Sequence, residues 1–147
     1  MKATLYIGAL ARATGRSIHA IRWYEGQGLM PGVVRDSGGR RVYRADHVDW
    51  VNFLDRLRIT GMTIREIQHY ARLVAEGRAT LAERRQLLRA HREGVLKRIA
   101  DLQRAAKLID LKIDFYDEWE RSQRRPGRMP TLDDVLEPKT LPVVDAE

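Results

Sequence analysis

The 147-residue chain contains no cysteine. That excludes disulfides, thiolate nucleophiles, thiolate metal sites and thiol redox sensing. No apolar run approaches the roughly 20 residues of a membrane span. The first ten residues, MKATLYIGAL, lack the apolar centre and small-residue cleavage site of a signal peptide. A cytoplasmic protein with no membrane role is expected. There is no phosphate-binding glycine loop, no Gly-x-Ser-x-Gly and no close acid pair in an apolar setting. His19, His47, His69 and His91 fall on four different predicted elements, none at metal-ligand spacing to another, and read as surface or helix-face residues. No catalytic residue, metal or cofactor is therefore expected, and the chain does not read as an enzyme.

What is present is a core and a strong basic charge. Hydrophobic residues make up 44% of the chain, enough to support a packed domain. The net charge is +7 and the isoelectric point about 10.1, which favours a polyanionic partner, nucleic acid first. The charge is uneven. Residues 1–72 carry 12 Lys/Arg against 6 Asp/Glu, residues 73–128 carry 14 against 9, and residues 129–147 carry 1 against 5. A basic body ends in a short acidic tail.

The spacing predicts a short helix over residues 7–13, with Ile7 and Leu10 one turn apart. Thr14, Gly15 and Arg16 form a tight turn, and Ser17 caps a second helix running to about residue 25. Gly26 and Gly28 end it. Two short helices joined this way make a helix-turn-helix. Val33, Val34, Val42 and Tyr43 flank the turn signal Asp36-Ser37-Gly38-Gly39, which predicts a β-hairpin. Arg35, Arg40, Arg41 and Arg44 surround it and should repel one another unless an anion is near, so the hairpin reads as a DNA-facing wing. Asp46 is expected to cap a third helix to about residue 57, with Val48, Val51, Leu54 and Leu57 on one face. Thr63 and Glu66 form a capping box for a fourth helix to about residue 74, and Thr80 with Glu83 reads as another.

From residue 80 to about 119 nothing breaks the helical pattern except Gly94, which costs only about 1 kcal/mol. At ~1.5 Å per residue the helix would be about 58 Å long. Leu81, Leu88, Val95, Leu102, Ile109 and Tyr116 recur every seventh position, and Ile99, Ala106 and Ile113 form a second such series. Two interleaved heptads make a coiled-coil seam, and with no second long helix in the chain the partner should be another copy. Leu88, Val95, Ile99, Leu102, Ile109 and Ile113 are the expected dimerisation residues. The organisation is thus mainly α: a DNA-binding winged helix-turn-helix over residues 1–75, a coiled-coil dimerisation helix over 76–120, and a flexible acidic tail over 121–147. Within the tail, residues 131–136 suit one helical turn.

This order of elements resembles the MerR family of bacterial transcription regulators. The stretches that carry the resemblance are IGALARATGRSIHAIRWYEGQGLMP, GGRRVYRADHVDWVNFLDRLRITGMTIREI and the long helix behind them. The resemblance implies a homodimer built on an antiparallel pair of long helices, with Arg22, Tyr24 and Arg41 holding the DNA backbone. It implies that the dimer distorts an overlong spacer in double-stranded promoter DNA, and so acts on RNA polymerase through the DNA. Arg40 stands at a wing position where many relatives have an aromatic residue.

In a helix-turn-helix the start of the second helix meets base edges in the major groove. That places Ser17, Ile18, His19 and Ala20 at bases, with Arg22, Trp23 and Tyr24 following toward phosphates. Arg16, Arg40, Arg41 and Tyr43 complete the expected DNA-binding set. Metal and redox branches of the family resemble one another in using cysteines near the end of the long helix. This chain has none, so a small-molecule signal, if it exists, is of a non-thiol kind. Phe115, Tyr116 and Trp119 form either a small effector pocket between subunits or part of the dimer core. Asp114, Asp117, Glu118 and Glu120 beside them are a solvated face or an effector contact. The alternative function is an architectural coiled-coil protein that binds nucleic acid without sequence choice.

Overall fold

The computed structural model describes residues 4–136. The elements are β1 (Thr4–Leu5), α1 (Ile7–Thr14), α2 (Ile18–Gly26), β2 (Val34–Arg35), β3 (Arg41–Arg44), α3 (Asp46–Ile59), α4 (Ile64–Ala75) and α5 (Leu81–Ser122). Single 3-10 turns lie at Gly77–Thr80 and Leu132–Asp134. The chain divides into two units, one ending at Val95 and one beginning at Leu96. The first takes in α1 to α4 and the start of α5. The start of α5 belongs to it because Leu87 and Leu88 pack against its core, and the His91 Nε2 lies 2.7 Å from the Thr60 hydroxyl.

In the first unit, Gly15 adopts φ +67° and closes α1, its N–H donating to the Ala11 and Arg12 carbonyls. Two residues later the Ser17 hydroxyl accepts from the Ala20 N–H at 3.1 Å and starts α2. The short link between them turns the chain so that both helices bury one side. Leu10, Ile21, Tyr24, Leu29, Tyr43, Val51, Leu54 and Ile67 form a fully buried centre. Each such side chain stabilises the fold by about 1.5–3 kcal/mol, and truncating Leu54 to Ala should cost ~2–5 kcal/mol. The Thr63–Glu66 capping box is formed reciprocally at the start of α4.

The expected hairpin forms, with β2 antiparallel to β3, and β1 extends it to a three-stranded sheet of order β1-β3-β2 through Thr4 and Leu5, paired to Arg44 and Tyr43. Other local expectations are corrected. Asp46 does not cap α3: Ala45 holds the cap position in a helical conformation, and the Asp46 carboxylate pairs with Arg44 at 3.0 Å. Thr80 is helical and buried, and its hydroxyl donates back to the Leu73 and Gly77 carbonyls, closing the 3-10 turn instead of opening a new helix. His47 is a helix-face residue, on the inner side of α3. It is buried, its Nδ1 accepts from the Arg44 N–H at 2.9 Å and its Nε2 donates to the Pro31 carbonyl at 2.9 Å.

In the second unit α5 continues to Ser122, and Gln123 ends it with φ +54°. The segment that follows makes defined contacts as far as residue 136. Thr131 and Asp134 form a capping box around the Leu132–Asp134 turn. Arg128 forks onto both Asp134 oxygens, at 2.5 and 3.0 Å. Val135 is buried, and with Leu136 it lines a groove against Ala100, Gln103, Arg104 and Lys107 of α5. Ion pairing and apolar burial thus order a segment that looks only acidic and proline-rich in sequence. The part of the expected tail at 137–147 lies outside the described residues.

Candidate nucleic-acid interface

The exposed side of α2 is set by what its other side buries. Ile21 and Tyr24 point into the core, which leaves Ile18, His19, Arg22 and Trp23 outward. Ala20 is half-buried beneath the Ser17 cap. The Trp23 ring is 40% exposed with the Arg58 guanidinium 5.6 Å from its centre, a cation–π arrangement that fixes a flat ring at the surface.

Tyr24, one of the expected DNA-binding residues, turns inward. It is 2% exposed, and its hydroxyl donates to the Asp55 Oδ1 at 2.6 Å while accepting from Arg58 at 3.2 Å. Burial, then the Asp55 bond, push its ionisation above the ordinary tyrosine range. Asp55 also draws in Arg16, whose Nη2 lies 2.6 Å from Oδ2 as an ion pair outside hydrogen-bond alignment. One buried carboxylate on α3 thereby fixes both the turn before α2 and the helix itself.

Tyr43, also in the expected set, turns inward as well. It is fully buried and its hydroxyl donates to the Glu25 Oε2 at 3.1 Å. Burial, then Glu25, raise its pKa to about 12. The other Glu25 oxygen holds the Arg41 Nε. The hairpin is thus clasped to the end of α2 through one carboxylate, with the Arg41 side chain still 40% exposed.

The remaining wing arginines also have partners inside the chain, which corrects the expectation that they repel one another until an anion arrives. Arg40 pairs with Asp36 at 3.0 Å, donates to the Tyr6 hydroxyl at 3.0 Å and lies 4.7 Å over the Tyr6 ring. Arg35 donates to the Gly39 carbonyl at 2.6 Å. Hydrogen bonds from the Arg40 backbone, Tyr6 and the Arg40 side chain hold the Asp36 carboxyl below its usual range. These contacts orient the guanidinium groups and leave their outer edges in solvent. Arg22, Arg35, Arg40 and Arg41 share a groove of about 310 Å³ with Tyr6 and Ile7. A groove lined by four cations suits a phosphate backbone.

Sequence reasoning missed Asp55, Arg58 and Tyr6. The available signal for Asp55 was an acid directly beside Leu54 on the apolar face of α3; nothing local marked Tyr6. Among the dimerisation residues, Ile99, Leu102, Ile109 and Ile113 are 45–68% exposed in the single chain. Val95 is half-buried, and Leu88 packs partly on the first unit's own core. Phe115 is buried within its unit, edge-on to Tyr116 and Trp119, which remain open to solvent. Of the three effector candidates, only the last two present free ring surface.

The profile of the MerR HTH family regulatory protein matches residues 5–73, and that described as MerR, DNA binding matches residues 48–111. An uncharacterized HTH-type transcriptional regulator of Haemophilus influenzae is 32% identical over 74% of this chain and 80% of that protein. The chain is a MerR-family transcriptional regulator. The mercuric resistance operon regulatory protein of Bacillus cereus is another relative of this MerR-family chain, 33% identical over 72% of it and 81% of the relative. Among solved structures, HiNmlR, a MerR family regulator lacking the sensor domain and bound to promoter DNA, superposes with a TM-score of 0.70. It is 30% identical over 81% of this chain and 94% of that one. A MerR family transcriptional regulator from Listeria monocytogenes gives 0.74 at 34% identity, over 81% and 91%. The MerR-family assignment makes the helix-turn-helix and hairpin a DNA-binding unit. Among the described residues no helix is long and apolar enough to cross a membrane.

Proposed function

We propose that this regulator binds double-stranded promoter DNA as a homodimer, reads bases with the start of α2 and grips phosphates with the wing. The observation that carries the reading is the Glu25 clasp, which holds the arginine-bearing hairpin beside the exposed face of α2. Ser17, Ile18 and His19 meet base edges; Arg22, Arg40 and Arg41 neutralise the backbone, with Arg16 at the edge of the same surface. Tyr24 and Tyr43 act through the groups they position. The exposed apolar stripe of α5 supports pairing with a second copy. By resemblance to its family, the dimer distorts an overlong promoter spacer so that RNA polymerase engages both promoter elements. The signal that controls this is a non-thiol small molecule taken up beside Tyr116 and Trp119.

Nuclease footprinting on the promoter nearest the coding region tests this. A short, two-fold symmetric protected site is expected. Uniform protection along any DNA would replace this reading with an architectural role.

A further inference from the structure

Beside the hairpin, α3 and α4 border a cavity of about 570 Å³. Part of its wall is aromatic. The Trp50, Phe53 and Tyr70 ring centres lie 5.9–6.5 Å apart, with Trp50 and Tyr70 stacked within 8° of parallel. The Trp50 Nε1 donates to the Leu29 carbonyl at 2.7 Å, which fixes that ring in place. Trp50 and Phe53 are only half-buried. More of the lining comes from the two roots of the hairpin: Pro31 and Gly32 lead into β2, and Arg44 ends β3. His47 ties these roots together through its bonds to the Pro31 carbonyl and the Arg44 N–H. The cavity shares no residue with the groove of Arg22, Arg35, Arg40 and Arg41, or with the Tyr116 and Trp119 surface.

The charges around this cavity do not balance. Arg44 is held by both Asp46 oxygens, each at 3.0 Å. His47 adds no charge while its Nδ1 accepts a hydrogen bond. Asp49 also lines the cavity, and it has no ion-pair partner among the described residues. On a chain of net charge +7, this leaves one uncompensated carboxylate beside an aromatic wall. We propose that the cavity binds a small organic cation that carries a ring, such as an aryl ammonium. The cationic head lies against the aromatic wall with Asp49 as its counter-charge, and the ring packs on apolar lining that includes Val74. A cation over an aromatic face is drawn to the negative π cloud, more strongly where water is partly excluded. An anion would meet Asp46 and Asp49, with the guanidinium of Arg44 already taken. A neutral ligand would leave the Asp49 charge unused. The volume falls within the ~300–1,000 Å³ of small-ligand sites. The inference goes beyond promoter binding and depends on neither the dimer nor a signal at Trp119.

Benzyltrimethylammonium is the probe, with benzyl alcohol and benzoate as its neutral and anionic counterparts. The chain has three tryptophans: Trp23 on α2, Trp50 in the cavity and Trp119 near the end of α5. Their indole N–H signals in proton–nitrogen NMR spectra of the full-length protein, assigned from Trp23→Phe and Trp119→Phe, report where the probe sits. The expected result is a saturable shift of the Trp50 signal and not of the other two, with benzyl alcohol and benzoate binding about fivefold or more weakly. Asp49→Asn and Phe53→Leu should each weaken the cation about fivefold, with circular dichroism unchanged. Asp49→Asn should leave the affinity for benzyl alcohol as it was. A shift confined to Trp119, or no shift at millimolar probe, would overturn the site. Equal affinity for the three probes, or a cation affinity unchanged in Asp49→Asn, would overturn the ligand class. Neither result bears on promoter binding, which footprinting tests separately.

Discussion

The Tyr24 hydroxyl donates to the Asp55 carboxylate across 2.6 Å, with both residues buried. This bond joins α2 to α3, and Arg16 closes on the same carboxylate from the turn. Asp55→Ala should strand a buried phenol and free the Arg16 guanidinium, destabilising the chain by about 2–3 kcal/mol. Asp55→Asn keeps an acceptor for Tyr24 and should cost less. Urea unfolding of the three proteins decides the matter: equal midpoints for wild type and Asp55→Ala would mean that the bond contributes nothing.

Arg41 and His19 should behave differently on DNA. Arg41→Ala is expected to weaken binding to all sequences alike and to flatten the salt dependence by about one counterion-release unit. His19→Ala should alter base preference at one position of each half-site with little change in salt slope. Binding isotherms over a salt series and a randomised-site library separate these outcomes. A shifted base preference in Arg41→Ala at an unchanged slope would reverse the assignment.

Tyr43 gives the protein an alkaline limit. Its folded-state pKa is raised to about 12, from an ordinary 10.0. A raised phenol pKa stabilises the fold below pH ~10, and that contribution is lost as pH climbs toward 12 because only the unfolded chain ionises in that window. Thermal midpoints should therefore fall between pH 10 and 12 in the wild type. Tyr43→Phe should fall less steeply over the same range. A parallel decline in both proteins would place the alkaline loss elsewhere.

The segment after α5 should loosen in acid. The Arg128 guanidinium, then the Thr131 N–H, lower the Asp134 pKa to about 2 from 3.8. A depressed carboxylate stabilises its surroundings above the ordinary value, and the effect disappears as pH falls from about 4 toward 2. Protease cleavage within residues 123–136 should therefore rise over that interval. Asp134→Asn should show the raised cleavage already at neutral pH. Equal protection of both proteins at pH 7 would count against the Arg128 fork.

Trp119 tests the proposed effector site. Its ring is 39% exposed and the Arg125 guanidinium lies 5.8 Å from its centre, an arrangement open to a flat or anionic ligand. Trp119→Ala should reduce signal-dependent spacer distortion, read by permanganate reactivity, more than it reduces DNA affinity. Equal loss of both would make the ring part of the dimer core.

The local signals in the sequence translated directly into structure where one residue acts on its own backbone. Ser17 and the Thr63–Glu66 pair cap helices because a hydroxyl or carboxylate three residues away reaches an unpaired N–H. Heptad spacing carried α5 through Gly94. What was illegible depended on distant partners. Asp55, Glu25 and Asp36 are ordinary acids in the string, and only folding brings them to Tyr24, Tyr43 and Arg40. Thr80 matched a capping pattern, yet Gly77 turned it toward Leu73. The strand Thr4–Leu5 is too short to show alternation and exists because β3 has an edge to offer.

The Glu25 clasp has a kinetic consequence. A hairpin hinged freely on its helix would have to find its pose after meeting the duplex, and would lose that freedom as part of the encounter. Here one oxygen fixes Tyr43 and the other Arg41, so the ordering is completed when the chain folds. On the proposed function, the hairpin and α2 would then meet DNA already in register, with less ordering left to the encounter.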